Sequence, residues 1–148
     1  LAAAGGPRIR ALVTGAAISD VHRHSPEEVA AWRARGQIDI VNSRTGQVLP
    51  MLTDVLDDVL RHGSTLLDIR AAAIRLRAPW LIVHGESDVT VPVAEARALH
   101  TAGRDTAELM LVPDAGHTFE TVHPWQGPTP AFEAVTDASV AWFGRHLR

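Results

Sequence analysis

Val83-His84-Gly85-Glu86-Ser87-Asp88-Val89-Thr90-Val91-Pro92, followed further along by Asp114-Ala115-Gly116-His117, decides how this 148-residue chain folds. Before the first stretch, Pro79 precedes Trp80-Leu81-Ile82-Val83, an unbroken apolar run of strand length. Such a run suits a strand covered on both faces. Gly85 then lets the chain turn, Asp88 follows on the loop, and Pro92 opens a helix whose expected buried face is Ala94, Ala98 and Leu99. Ala107 to Val112 is the next expected strand, after which Pro113 and Gly116 bracket a tight loop ending in His117. Strands alternating with helices at this spacing imply right-handed crossovers and a parallel sheet. Polar groups at the carboxyl ends of such strands lie where α/β folds collect their chemistry.

Working outward, Ile9 to Thr14 reads as a further short strand, and Thr129-Pro130 starts a closing helix with Phe132, Val135, Ser139, Trp142 and Phe143 on one side. Ser25-Pro26-Glu27-Glu28 is a capping box with proline at the first helical position, opening a helix that ends at Gly36. Gln37 to Asn42 and Gln47 to Leu49 suggest a small hairpin around the turn residues Asn42-Ser43-Arg44-Thr45-Gly46. Leu52, Val55, Leu56, Val59 and Leu60 recur at helical spacing before Gly63, and Asp68 is placed to cap a short helix through Arg75. Residues 22–77 are too long for a simple crossover and read as a lid-like insertion within one partial domain, 1–148. At the start, Leu1-Ala2-Ala3-Ala4 before Gly5-Gly6-Pro7 resembles the last turn of a helix, with glycine as a left-handed cap and proline as the stop.

Composition narrows the function classes. A net charge of −3 provides no basic footprint for nucleic acid. With no cysteine, the stretch holds no thiolate metal site, disulfide or cysteine nucleophile. No apolar run approaches the roughly 18 residues of a membrane span, and no signal-peptide pattern is present. A soluble cytoplasmic protein without metal or organic cofactor is the expectation.

Each candidate residue has two readings. Asp88 suits an acid that orients an imidazole, and equally a turn acid bonding its own backbone. His117 suits a general base, and equally a buried structural histidine. Asp114 and Glu86 compete for the role of acid, although Asp114 shares the His117 loop. His123 and Trp125 follow closely and are candidates for lining a substrate pocket. His22 and His24 have metal-like His-x-His spacing without a convincing third ligand, which favours a solvated loop. His84, Trp32 and Trp80 read as packing residues. None of the six serines (Ser19, Ser25, Ser43, Ser64, Ser87 and Ser139) stands in a Gly-x-Ser-x-Gly context.

His84-Gly85-x-x-Asp88-x-x-Val91-Pro92 with Gly116-His117-x-Phe119 resembles the C-terminal half of the α/β-hydrolase fold, nearest to dienelactone-hydrolase-like esterases and prolyl-oligopeptidase-like peptidases. The resemblance runs from about Ile9 to Leu147 and is densest over residues 79–120. It implies parallel strands with flanking helices and a helical and hairpin insertion. It also implies that Asp88 is the acid and His117 the base of a Ser-Asp-His triad acting on a small-molecule ester, thioester or peptide-like acyl bond. The serine would stand on an elbow before Leu1, with Leu1 to Gly6 as the tail of the helix that follows it. On that view the chain alone is inactive, and an unpaired edge at Ile9 to Thr14 invites self-association. The rival expectations are a non-catalytic binding module derived from a hydrolase, and a hydrolase whose elbow has lost its serine.

Overall fold

A computed structural model describes residues 1–6, 8–42 and 45–147. In chain order the elements are α1 (Ala2–Gly5), β1 (Leu12–Gly15), α2 (Pro26–Arg35), β2 (Gln37–Val41), β3 (Val48–Leu52), α3 (Asp54–His62), α4 (Ile69–Arg75), β4 (Trp80–Gly85), α5 (Val93–Gly103), β5 (Ala107–Val112) and α6 (Pro130–His146). They form two compact units: Leu1–Ser19 with Ile69–Arg148, and Asp20–Asp68.

The first unit is built on a three-stranded parallel sheet in the order β1-β4-β5. Every residue of β4 is buried, as its unbroken apolar run requires of a central strand. Alternation along the strand sends side chains to two cores. Trp80 and Ile82 pack with Ala73, Leu76, Ala96 and Leu99 beneath α4 and α5. Leu81 and Val83 pack with Val112, Ala115 and Trp142 beneath α6. Complete burial of a side chain such as Ile82 contributes about 1.5–3 kcal/mol. Helices therefore cover both faces, leaving strand ends as the place where polar groups emerge.

Several boundaries differ from the sequence expectation. β1 begins at Leu12 rather than Ile9, because its partner β4 begins after Pro79; the Leu12 N–H donates to the Pro79 carbonyl at 2.9 Å. On α5 the buried positions are Ala96, Leu99 and Gly103, whereas Ala94 is exposed and Ala98 only half-buried. Leu99 sets the face, and 96 and 103 are the positions one turn away on either side. On α6, Trp142 is buried and Ala131, Val135 and Ala138 pack against its cluster, but Phe143 is left exposed. Gly6 is extended (φ −110°) and is not a left-handed cap. The expected proline stop at Pro7 lies outside the described residues.

Ser19 closes the first limb of this unit. Its N–H and its hydroxyl both donate to Glu95 Oε2 at 2.6 Å, and Arg70 Nη2 donates to its Oγ at 3.3 Å. Three elements distant in sequence are thereby tied at one buried serine.

In the second unit the expected capping box is formed, with Ser25 accepting from Glu28 N–H and Glu28 accepting from Ser25 N–H. Gly36 takes the left-handed conformation at the end of α2 (φ 78°). β2 and β3 pair antiparallel as a hairpin, and β3 takes Leu52 out of the expected helix. Ser43 and Arg44 of the expected turn lie outside the described residues. Trp32 is buried and donates from Nε1 to the Met51 carbonyl at 3.1 Å. Among the described residues no helix is long and apolar enough to cross a membrane.

Candidate active site

β4 and β5 are parallel neighbours, so their carboxyl ends point the same way, with Gly85 in register with Val112. The loops leaving them are joined by backbone. Glu86 N–H donates to the Val112 carbonyl and Ser87 N–H to the Ala115 carbonyl, each at 3.0 Å. Gly85 is required by close approach. A Cβ there would collide with the Ala115 carbonyl oxygen, and would lie 2.7 Å from Ala115 C and 2.8 Å from Gly116 O.

Asp88 is set at the turn that follows, its N–H reaching the Gly85 carbonyl at 3.3 Å. Its side chain is fully buried. Oδ1 accepts from Thr90 N–H at 2.9 Å and Val91 N–H at 2.8 Å, while Oδ2 accepts from His117 Nδ1 at 2.9 Å. The two sequence readings of Asp88 thus coexist: one oxygen closes its own turn and the other meets the histidine. Burial pushes the Asp88 carboxyl up, but the Val91 N–H, His117, the Thr90 N–H and the charge of His117 together outweigh it, holding the group below its ordinary value. Since a carboxylate only accepts, the proton at the contact belongs to His117 Nδ1, leaving Nε2 as the basic nitrogen of a ring that is 38% exposed.

The His117 loop contains three non-glycine residues in the left-handed region: Asp114 (φ 57°), Phe119 (φ 51°) and Glu120 (φ 62°). Each costs about 1–2 kcal/mol of local strain. Hydrogen bonds brace Phe119 and Glu120. Glu120 Oε1 accepts from Gly116 N–H at 2.6 Å, and Thr129 Oγ1 donates to the Phe119 carbonyl at 2.6 Å. Thr129 also caps α6 by accepting from Phe132 N–H at 3.1 Å. The Phe119 ring lies 3.5 Å from where a Cβ on Gly15 would stand, so the loop after His117 reaches the end of β1.

Other candidates fall elsewhere. Asp114 and Glu86 are exposed, and the carboxylate bonded to His117 is that of Asp88. His123 is exposed, ahead of a cis bond to Pro124, and Trp125 is 57% exposed with its ring edge-on to Phe132 at 5.5 Å. Neither lines the apolar cavity of about 330 Å³ bounded by Leu12, Ile69, Leu76 and Leu99. His22 Nδ1 pairs with Asp20 Oδ1 at 2.8 Å and His24 lies 3.8 Å from Glu28. Among the described residues no group of three or more histidines and carboxylates is placed to hold a metal ion. His84 was expected only to pack; it is buried on β4 and bonds the Val91 carbonyl at 2.8 Å through Nε2.

No protein-family model matches the sequence, and no curated protein matches it. Solved structures do. The chain superposes on the esterase domain of a Rhodothermus marinus protein with a TM-score of 0.63 at 16% identity, over 99% of this chain and 54% of that one. It matches a Paleococcus ferrophilus monoacylglycerol lipase with a TM-score of 0.63 at 17% identity, over 95% and 60%. This is an α/β-hydrolase fold. An acetyl xylan esterase from Paenibacillus sp. R4 shares the α/β-hydrolase fold at a TM-score of 0.58 and 18% identity, over 98% of this chain and 40% of that chain. The chain spans about half the length of these α/β-hydrolase structures.

Proposed function

We propose that this chain supplies the acid and the base of a serine hydrolase that cleaves an ester, thioester or peptide-like acyl bond. The observation that carries the reading is the buried Asp88 carboxylate bonded to Nδ1 of the part-exposed His117 ring at the carboxyl end of the sheet, which leaves Nε2 as the basic nitrogen. The fold likeness to esterases and a lipase supports it. The nucleophile is assigned to a serine in the part of the fold this chain does not span, since no serine here has the elbow context.

In that reaction His117 Nε2 takes the hydroxyl proton as the serine Oγ bonds to the acyl carbon, and the carbonyl electrons move onto oxygen. When the tetrahedral intermediate collapses, the bond to the leaving group breaks and His117 returns the proton to it, leaving an acyl-serine. Water repeats the sequence and releases the acid. Asp88 stays ionised throughout, keeping the ring in the Nδ1–H tautomer and stabilising the imidazolium.

A fluorophosphonate probe applied to a folded longer protein carrying this chain tests the assignment. Labelling at a serine outside these 148 residues, abolished by His117→Ala, is expected. Absence of labelling would overturn the reading in favour of a binding module or a hydrolase without its serine.

A further inference from the structure

The acyl-transfer chemistry makes no use of His84, yet this ring sits against the acid. It is fully buried near the end of β4. Its Nε2 lies 2.8 Å from the Val91 carbonyl oxygen and 3.4 Å from Asp88 Oδ2, and its Nδ1 has no hydrogen-bond partner. A carbonyl can only accept, so the proton of this contact is on Nε2. Val91 is consequently gripped from both sides, its carbonyl by His84 and its N–H by Asp88 Oδ1. Among the described residues the basic side chains within 4 Å of the Asp88 carboxylate are His117, from the β5 loop, and His84, from β4 itself.

Packing alone does not account for a histidine here. A buried nitrogen without a partner costs about 1–3 kcal/mol, a cost that a leucine of comparable bulk does not carry. What histidine adds is a rigid donor at the one point where the loop after Gly85 returns to the strand. The same ring nitrogen lies 3.4 Å from Oδ2, the oxygen that faces His117, with its N–H directed at the Val91 carbonyl.

We propose that His84 is a positioning residue for Asp88: its Nε2–H, tethered to the Val91 carbonyl, fixes the 85–91 loop and holds Oδ2 in line with His117 Nδ1. The proposal rests on the assignment of Asp88 and His117 as acid and base, and His84 acts through Asp88 without touching substrate. The spacing of His84, Asp88 and Val91 then has one physical meaning, a loop closed by its own first and last members.

Proton–nitrogen NMR of the 148-residue chain tests it without recourse to turnover. In the wild type, His84 is expected to carry its proton on Nε2 with a bare Nδ1, and the His117 Nδ1–H is expected as a far-downfield signal protected from exchange by Asp88. His84→Leu, which fills the space without donating, should lose that signal to solvent exchange. His84→Gln, whose amide can donate to Val91, should keep it. A packing role predicts the opposite order, with leucine retaining the signal and glutamine losing it, and that order would overturn the proposal. So would a wild-type His84 protonated on Nδ1. Should the leucine variant not fold, the wild-type tautomer and the glutamine variant decide. These signals are independent of fluorophosphonate labelling, so failure of the hydrolase assignment and failure of the tether are seen separately.

Discussion

Gly85 and Ala115 approach so closely that the α-carbon of one has no room for a methyl group beside the carbonyl of the other. All three atoms a Cβ would meet belong to the backbone of the His117 loop, which cannot swing aside as a side chain could. Gly85→Ala should therefore cost about 1–3 kcal/mol, the usual range for forced overpacking. A thermal or denaturant melt of the chain measures it. The same substitution should weaken the Asp88–His117 contact, because it separates the two loops that carry the pair.

The Asp88 carboxyl titrates below its ordinary value in the folded chain, so it adds stability wherever the carboxylate is ionised. That contribution is fully present above the reference value of 3.8 and is lost as pH falls through the depressed folded value. Acid unfolding of the wild type should show this limb below pH 3.8, and Asp88→Asn should lack its share of the slope. Parallel slopes for the two proteins in urea melts at stepped pH would count against it.

Acting on a p-nitrophenyl acyl ester, the 148-residue chain is expected to show no turnover above the His117→Ala control. In a longer protein that supplies the nucleophile, Asp88→Asn should lower kcat by about 10⁴, by allowing the wrong tautomer of His117. His117→Ala should cost at least as much, and the double variant little more, because the members of such a unit are not additive. Steady-state kinetics on the three variants checks both statements.

Thr129 makes one bond that starts α6 and another that holds Phe119 in its left-handed conformation. Thr129→Val removes both and should destabilise by about 1–2 kcal/mol, the upper range for losing a helix cap. Thr129→Ser keeps the oxygen and should recover most of the loss in the same melt.

The parts of the fold legible in sequence are those set by local chemistry. The run from Trp80 to Val83 announced a central strand, and Ser25 with Glu28 announced a helix start; both stand as read. The parts that were not legible depend on a partner far along the chain. Nothing near Leu12 signals that Pro79 sets where β1 begins, and nothing near Ser19 points to Glu95. The buried face of α5 is not legible in sequence because alanines occupy both positions 94 and 96, and only the sheet distinguishes Ala94 from Ala96. At the candidate site, the encounter of Asp88 with His117 was legible from their places at successive strand ends. The bond from His84 was not, because its acceptor is a main-chain carbonyl, which no residue type reveals.

Asp88 and His117 belong to a single strand–helix–strand crossover, β4 through β5 and its loop. Closing so short a stretch of chain carries a small entropic penalty, which grows only with the logarithm of its length. The contact is thus one of modest sequence separation, although the loop that carries His117 is also held from beyond the crossover by Thr129. In this architecture the Asp88–His117 contact is assembled within one crossover.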